Sequence, residues 1–203
     1  MTRHNTPPTP RLEDTAFVTG RGRYGSDVDA EGALHAAFVR AAEAPATLTG
    51  IETADALQMA GVHAVLGASD LGLTGTLSVN PVVDGVPDNS GLLCAQKVGA
   101  VGEPVAIVLA QTALLAADAA EAVAVETEPS EPSPEGFTFA WQEGDCEAAF
   151  GSAAHTVDVT TTHARLAPSA MEPRTVLAMP DPGGGLHVVL PSQSPWRCRD
   201  ELA

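Results

Sequence analysis

Residues 104–128 constrain the fold of this chain more than any other stretch. Pro104–Ala110, PVAIVLA, is a continuous apolar run. A run without polar alternation predicts a strand buried on both faces. Gln111–Ala124 follows at once and is rich in Ala and Leu, residues that lose little freedom on entering a helix. Within it, Leu114, Leu115, Asp118 and Glu121 allow one apolar and one acidic face. Val123–Glu128 then turns back into a strand, so the stretch reads as a β-α-β unit. Only 4% of the chain is aromatic while 44% is hydrophobic, so the core around this unit must be built from Ala, Val and Leu. At 203 residues there is room for one large domain or one and a half ordinary ones.

Upstream, residues 1–14 read as a flexible arm, with three prolines among residues 7–10, and order is expected to begin near Thr15. Phe17 and Val18 read as a short extended piece leading into the turn Gly20-Arg21-Gly22. Strands are expected over 34–40 (LHAAFVR), 48–52 and 62–66, with a short helix over 54–60 between the last two. Thr53 is its N-cap candidate and Gly61 its stop. Residues 72–91 are dominated by Gly, Asn, Pro, Asp and Ser without a sustained period and read as loop.

Residues 129–143 read as a linker, since PSEPSPEG at 129–136 holds mostly turn formers. Beyond it, Asp145 suits the N-cap of a short helix over 146–150. His155–His163, HTVDVTTTH, is β-rich, with Val157 and Val159 on one side. Residues 175–179 and 186–190 flank PDPGGG as a hairpin-like pair. Ser194-Pro195 is a helix start, a Ser cap with Pro at the first helical position. The chain ends inside that helix, and this ending reads as a cut through a larger fold.

The balance of 10 basic to 26 acidic residues gives a formal charge of −16. A nucleic-acid binder needs a basic face for phosphates, and an anionic membrane repels such a surface, so neither partner is expected. Cys94, Cys146 and Cys198 lie too far apart for C-x-x-C metal spacing and are odd in number, which reads as free thiols in a reducing compartment. With no signal h-region and no spanning apolar run, a cytoplasmic location is expected.

Several motifs have a plain structural reading. Gly20–Gly25 matches G-x-G-x-x-G, but a turn and a strand follow where a dinucleotide site needs a helix N-terminus. Its glycines read as turn residues, as do Gly183–Gly185. None of the six histidines has zincin spacing; His155 and His163 would share a strand face but sit far apart along it. Glu172 and Arg174, two apart, would point to one side of a strand and read as an ion pair holding a sheet together. No residue is assigned a catalytic, cofactor-binding or metal-ligating role.

Seven segments, taken in order, resemble the large, molybdenum-cofactor subunit of the xanthine dehydrogenase/aldehyde oxidase family, the carbon monoxide dehydrogenase large chain included. They are TGRGRYGSD (19–27), LHAAFVR (34–40), GVHAVLGASDL (61–71), VGEPVAIVLAQTALLAADAAEAVAVE (101–126), GDCEAAFGSAAHTV (144–157), RLAPSAMEPRTVLA (165–178) and SQSPWRCRDELA (192–203). The resemblance implies an α+β protein: an α/β-hammerhead domain over 15–128, then over 144–203 an incomplete first part of the molybdopterin-binding domain. It implies an oxidoreductase that hydroxylates an aldehyde or N-heterocycle, or oxidises carbon monoxide, with oxygen from water. Molybdopterin cytosine dinucleotide with molybdenum would serve the complete enzyme, and an iron–sulfur subunit, an FAD subunit and the remainder of the molybdenum subunit would be partners. The family's GGGFG-type cofactor loop and its glutamate base have no counterpart in these residues, so the chain alone is expected to bind no cofactor and to be inactive. The alternative expectation is a non-catalytic binding or assembly module that completes a separately encoded catalytic subunit. A free-standing nicotinamide enzyme built on Gly20–Gly25 is a third, weaker reading.

Overall fold

A computed structural model of the chain describes residues 11–28, 30–72, 76–77, 90–132, 140–167, 169–170 and 172–202. In chain order the helices are α1 (Asp14–Val18), α2 (Ala54–Gln58), α3 (Ala113–Glu121), α4 (Cys146–Ser152) and α5 (Pro195–Leu202). The strands are β1 (His35–Arg40), β2 (Ala46–Glu52), β3 (Val62–Gly67), β4 (Thr76–Leu77), β5 (Ser90–Gly91), β6 (Lys97–Val98), β7 (Pro104–Ala110), β8 (Ala124–Pro129), β9 (Leu177–Pro180) and β10 (Leu186–Val189). They form two compact units, Gly32–Thr156 and a second made of Met1–Glu31 with Val157–Ala203.

In Gly32–Thr156, β7 lies between β1 and β3 and runs antiparallel to both. Val65 and Ala37 both register with Val108 across it. Val105, Ala106, Val108 and Ala110 are fully buried, as expected for an apolar run in the centre of a sheet. A second sheet has the order β6-β2-β8. The β-α-β unit is therefore no parallel crossover within one sheet: α3 leads from the first sheet to the edge of the second.

Thr112 caps α3, its Oγ1 accepting the Leu115 N–H at 3.2 Å. The helix turns a different face inward from the one its leucines suggest. Ala116 and Ala119 are buried, while Leu114 is 73% exposed. Small side chains let α3 lie close on β1 and β7, against which it packs. α2 stops at Gln58, short of the expected residue 60, and the Thr53 side chain caps nothing. Gly61 has φ +91°, and a Cβ there would sit 2.8 Å from Leu115 Cδ2. The residue is thus required by both backbone and packing. Most of 72–91 lies outside the described residues, but Thr76–Leu77 pairs with Ser90–Gly91, a ladder the loop reading lacked. Asp145 caps α4 as expected, accepting the Ala148 N–H at 3.0 Å.

The other unit corrects two expectations. Phe17 and Val18 belong to α1 rather than to an extended piece, since Phe17 N–H reaches Glu13 O at 3.0 Å and closes a helical turn. Residues 155–163 form no strand; Val157 and Val159 are 82% and 75% exposed. Their β preference needs a neighbouring strand to act on, and among the described residues none pairs with them. The hairpin holds: β9 and β10 are antiparallel, and Asp181 N–H bonds Gly185 O across the glycine turn at 3.1 Å. Gly184 and Gly185 have φ of +96° and +90°. Pro195 opens α5, where Cys198 N–H bonds Ser194 O at 3.0 Å.

The close seat of α3 is testable. Ala119→Leu should lower stability by about 1–3 kcal/mol through overpacking, whereas Leu114→Ala should change it by less than about 0.5 kcal/mol. Urea unfolding followed by circular dichroism distinguishes the two.

Candidate functional site

The N-terminal glycine motif and the MEPR stretch meet in one place. Gly25 opens a 3-10 turn, Gly25–Asp27, and its N–H donates to Glu172 Oε1 at 3.0 Å across 147 positions of sequence. A Cβ on Gly25 would lie 2.5 Å from Thr175 Oγ1, so a larger residue there would have to turn the Thr175 hydroxyl aside. The loop before it is held locally. Phe17 stacks on Tyr24 at 5.9 Å, a Cβ on Gly22 would enter the Phe17 ring, and Tyr24 N–H donates to Asp27 Oδ2 at 2.8 Å.

Glu172 does not pair with Arg174. Residues 172–176 are not a strand, so the two side chains share no sheet face, and the carboxylate instead takes the Gly25 amide. Thr175 Oγ1 is buried with no partner among the described residues. Neither Glu172 nor Thr175 has a nucleophile–base partner here, so the arrangement can position backbone but offers no proton-transfer pair. Its long-range contact has no local sequence signal; the two stretches stood out only as separate motif segments.

The remaining candidates disperse. Gly20–Gly25 is preceded by α1 and followed by the 3-10 turn, with neither the strand nor the helix a dinucleotide fold places there. Gly183–Gly185 is the hairpin turn. His155 and His163 lie on exposed irregular chain, and no group of three metal-ligating side chains occurs among the described residues. Cys94 is buried, Cys146 exposed and Cys198 half-buried, all as free thiols. Burial, reinforced by the nearby Glu103 carboxylate, pushes the Cys94 thiol above its ordinary range. A concavity of about 890 Å³ runs between β1, α3 and β8. Another, of about 600 Å³, lies near Thr53 and Asp70.

Two three-stranded sheets linked by an alanine-faced helix make Gly32–Thr156 a mixed α/β unit. The chain belongs to the aldehyde oxidase and xanthine dehydrogenase family: residues 19–131 match its a/b hammerhead domain, and residues 130–203 match a molybdopterin cofactor-binding domain. It is 34% identical to the nicotine 6-hydroxylase large subunit of Paenarthrobacter nicotinovorans, covering 83% of this chain and 23% of that protein. It is 32% identical to the carbon monoxide dehydrogenase large chain of Hydrogenophaga pseudoflava, over 90% of this chain and 27% of that one. Quinoline 2-oxidoreductase from Pseudomonas putida 86 superposes with a TM-score of 0.78 at 28% identity, over 95% of this chain and 27% of its own. The chain thus spans about a quarter of the length of these relatives.

Neither of the two concavities, which lie among residues 37–127 and outside the cofactor-domain match, suits the phosphates of a molybdopterin dinucleotide. Those phosphates call for basic side chains or clustered backbone N–H groups. The larger concavity is lined instead by Glu43, Glu121 and Glu126, and in the smaller one Asp70 already accepts the Gly67 N–H at 2.8 Å. Among the described residues no helix is long and apolar enough to cross a membrane.

Two measurements probe these contacts. Glu172→Ala should cost about 1 kcal/mol and speed hydrogen exchange at Gly25 roughly fivefold, and Glu172→Gln, which keeps an acceptor oxygen, should lie nearer the parent. For Cys94, a thiol raised in the folded state stays protonated while the unfolded chain ionises. Its contribution to stability is therefore full below the ordinary thiol range and lost as pH rises through the folded value. The urea midpoint should fall from pH 8 to 10, with a shallower fall in Cys94→Ala.

Proposed function

We propose that the chain is the N-terminal part of the large subunit of a molybdenum hydroxylase-type oxidoreductase, acting on an aldehyde, an N-heterocycle or carbon monoxide. One observation carries the reading: the hammerhead and cofactor-binding matches follow each other in order along residues 19–203. The superposition on quinoline 2-oxidoreductase over 95% of the chain supports it. The domain limits in this reading are an arm over 1–14, the hammerhead domain over 15–128, a linker over 129–143 and the start of the cofactor domain over 144–203. In the complete enzyme, molybdopterin cytosine dinucleotide with molybdenum supplies the redox chemistry, and the remainder of the molybdenum subunit, an iron–sulfur subunit and an FAD subunit complete the complex. Relatives named as a large subunit and a large chain favour such a complex. The location in this reading is cytoplasmic.

The chain alone is inactive in this reading, since the GGGFG-type cofactor loop and the glutamate base that the resemblance implies have no counterpart in these residues. A second reading, an assembly module for a separately made catalytic chain, is favoured by exposed apolar side chains such as Trp141, Phe150 and Trp196, at 74%, 68% and 72%.

The test purifies the chain alone and, separately, after co-expression with the remainder of a related large subunit. Molybdenum, pterin and dye-linked oxidation are then measured. The chain alone should carry neither cofactor nor turnover; stoichiometric molybdenum with turnover would overturn the inactivity. Cofactor and turnover appearing only when the two polypeptides are combined would support the assembly reading.

A further inference from the structure

The groove between β1 and β8 has walls of an unusual kind. It is lined by the consecutive residues Ala37 to Arg40 and Val125 to Thr127. A groove formed by one face of a strand would expose alternate residues, because side chains alternate across a sheet. Consecutive residues mean that strand edges form the walls. Both strands are terminal in their sheets, β1 in β1-β7-β3 and β8 in β6-β2-β8. An edge strand presents unpaired N–H and C=O groups, the template used when an extended peptide adds to a sheet. Ala120 of α3 also lines the groove, and Phe38 on the β1 wall is 48% exposed.

The rim selects the occupant. Glu43, Glu121 and Glu126 line the groove, and among the described residues none of their carboxylates forms an ion pair or hydrogen bond. Arg40 is engaged elsewhere: its Nη1 donates to Gly102 O at 2.8 Å and its guanidinium stands 5.6 Å over the Phe38 ring. A second copy of this chain, at −16, would bring like charge to like charge. We propose that this groove docks an extended, basic and apolar segment of a partner polypeptide, paired by backbone to the β1 or β8 edge and held by the three carboxylates. The inference does not depend on the oxidoreductase reading.

The test uses the full chain and a fluorescein-labelled Val-Lys-Val-Lys-Val-Lys peptide. A second peptide of the same sequence is N-methylated at alternate residues, which keeps the charge and removes strand-pairing N–H groups. The first peptide should bind at low salt and slow hydrogen exchange in residues 35–40 or 124–129, and the methylated one should bind at least about tenfold more weakly, since pairing is lost. Glu121→Gln with Glu126→Gln should weaken binding roughly two- to tenfold. Equal binding of both peptides, protection confined to other residues, or no binding would overturn the proposal. Self-association of the chain through the same amides without peptide would also overturn it, by giving the edges to a second copy.

Discussion

β7 is paired along both edges and covered by α3, and the rest of Gly32–Thr156 is arranged around that burial. Each fully buried valine contributes about 1.5–3 kcal/mol relative to an exposed one, and Val105 and Val108 are both fully buried on β7, as are Ala106 and Ala110. The scarcity of aromatic residues has a structural consequence here. Alanine and valine fill little depth, so layers must approach closely, and Ala116, Ala119 and Gly61 allow that approach. A larger residue at any of these positions would have to displace the helix rather than fill a gap.

What was legible in the sequence followed from local signals. The apolar run of β7, the Thr/Ala/Leu composition of α3, the glycine turn of the β9–β10 hairpin and the Asp145 cap each carry their cause within a few residues. Several of the failures turn on a partner distant in sequence. Leu114 looked inward by size, yet the separation of α3 from the sheet selected the alanine face. His155–His163 has the composition of a strand, but composition supplies no hydrogen-bonding neighbour. Glu172 was matched with Arg174 because they are close in sequence, whereas its amide partner lies at Gly25. The β4–β5 ladder is only two residues long on each side, too short to leave a periodic trace.

Family membership and local chemistry answer different questions in this chain. Membership rests on matches that run from residue 19 to residue 203. The two concavities, by contrast, lie among residues 37–127, outside the cofactor-domain match. What the long-range contacts of the described residues supply is scaffold. On that view Gly25, Glu172 and Thr175 matter by holding backbone in place, a role for which their modest chemistry suffices.

The division of the chain in space adds a further step. The hammerhead match begins at residue 19, yet the described residues before Gly32 group with those from Val157 onward. Sequence matches follow inheritance, and compact units follow contact, so the two need not share limits. Because the chain leaves this unit at residue 31 and returns at 157, local sequence preference cannot hold its two parts together. Contacts such as the Gly25–Glu172 hydrogen bond must do so. A small residue at Gly25 leaves room for Thr175 beside that hydrogen bond, and a motif with the spacing of a dinucleotide loop serves here as a joint.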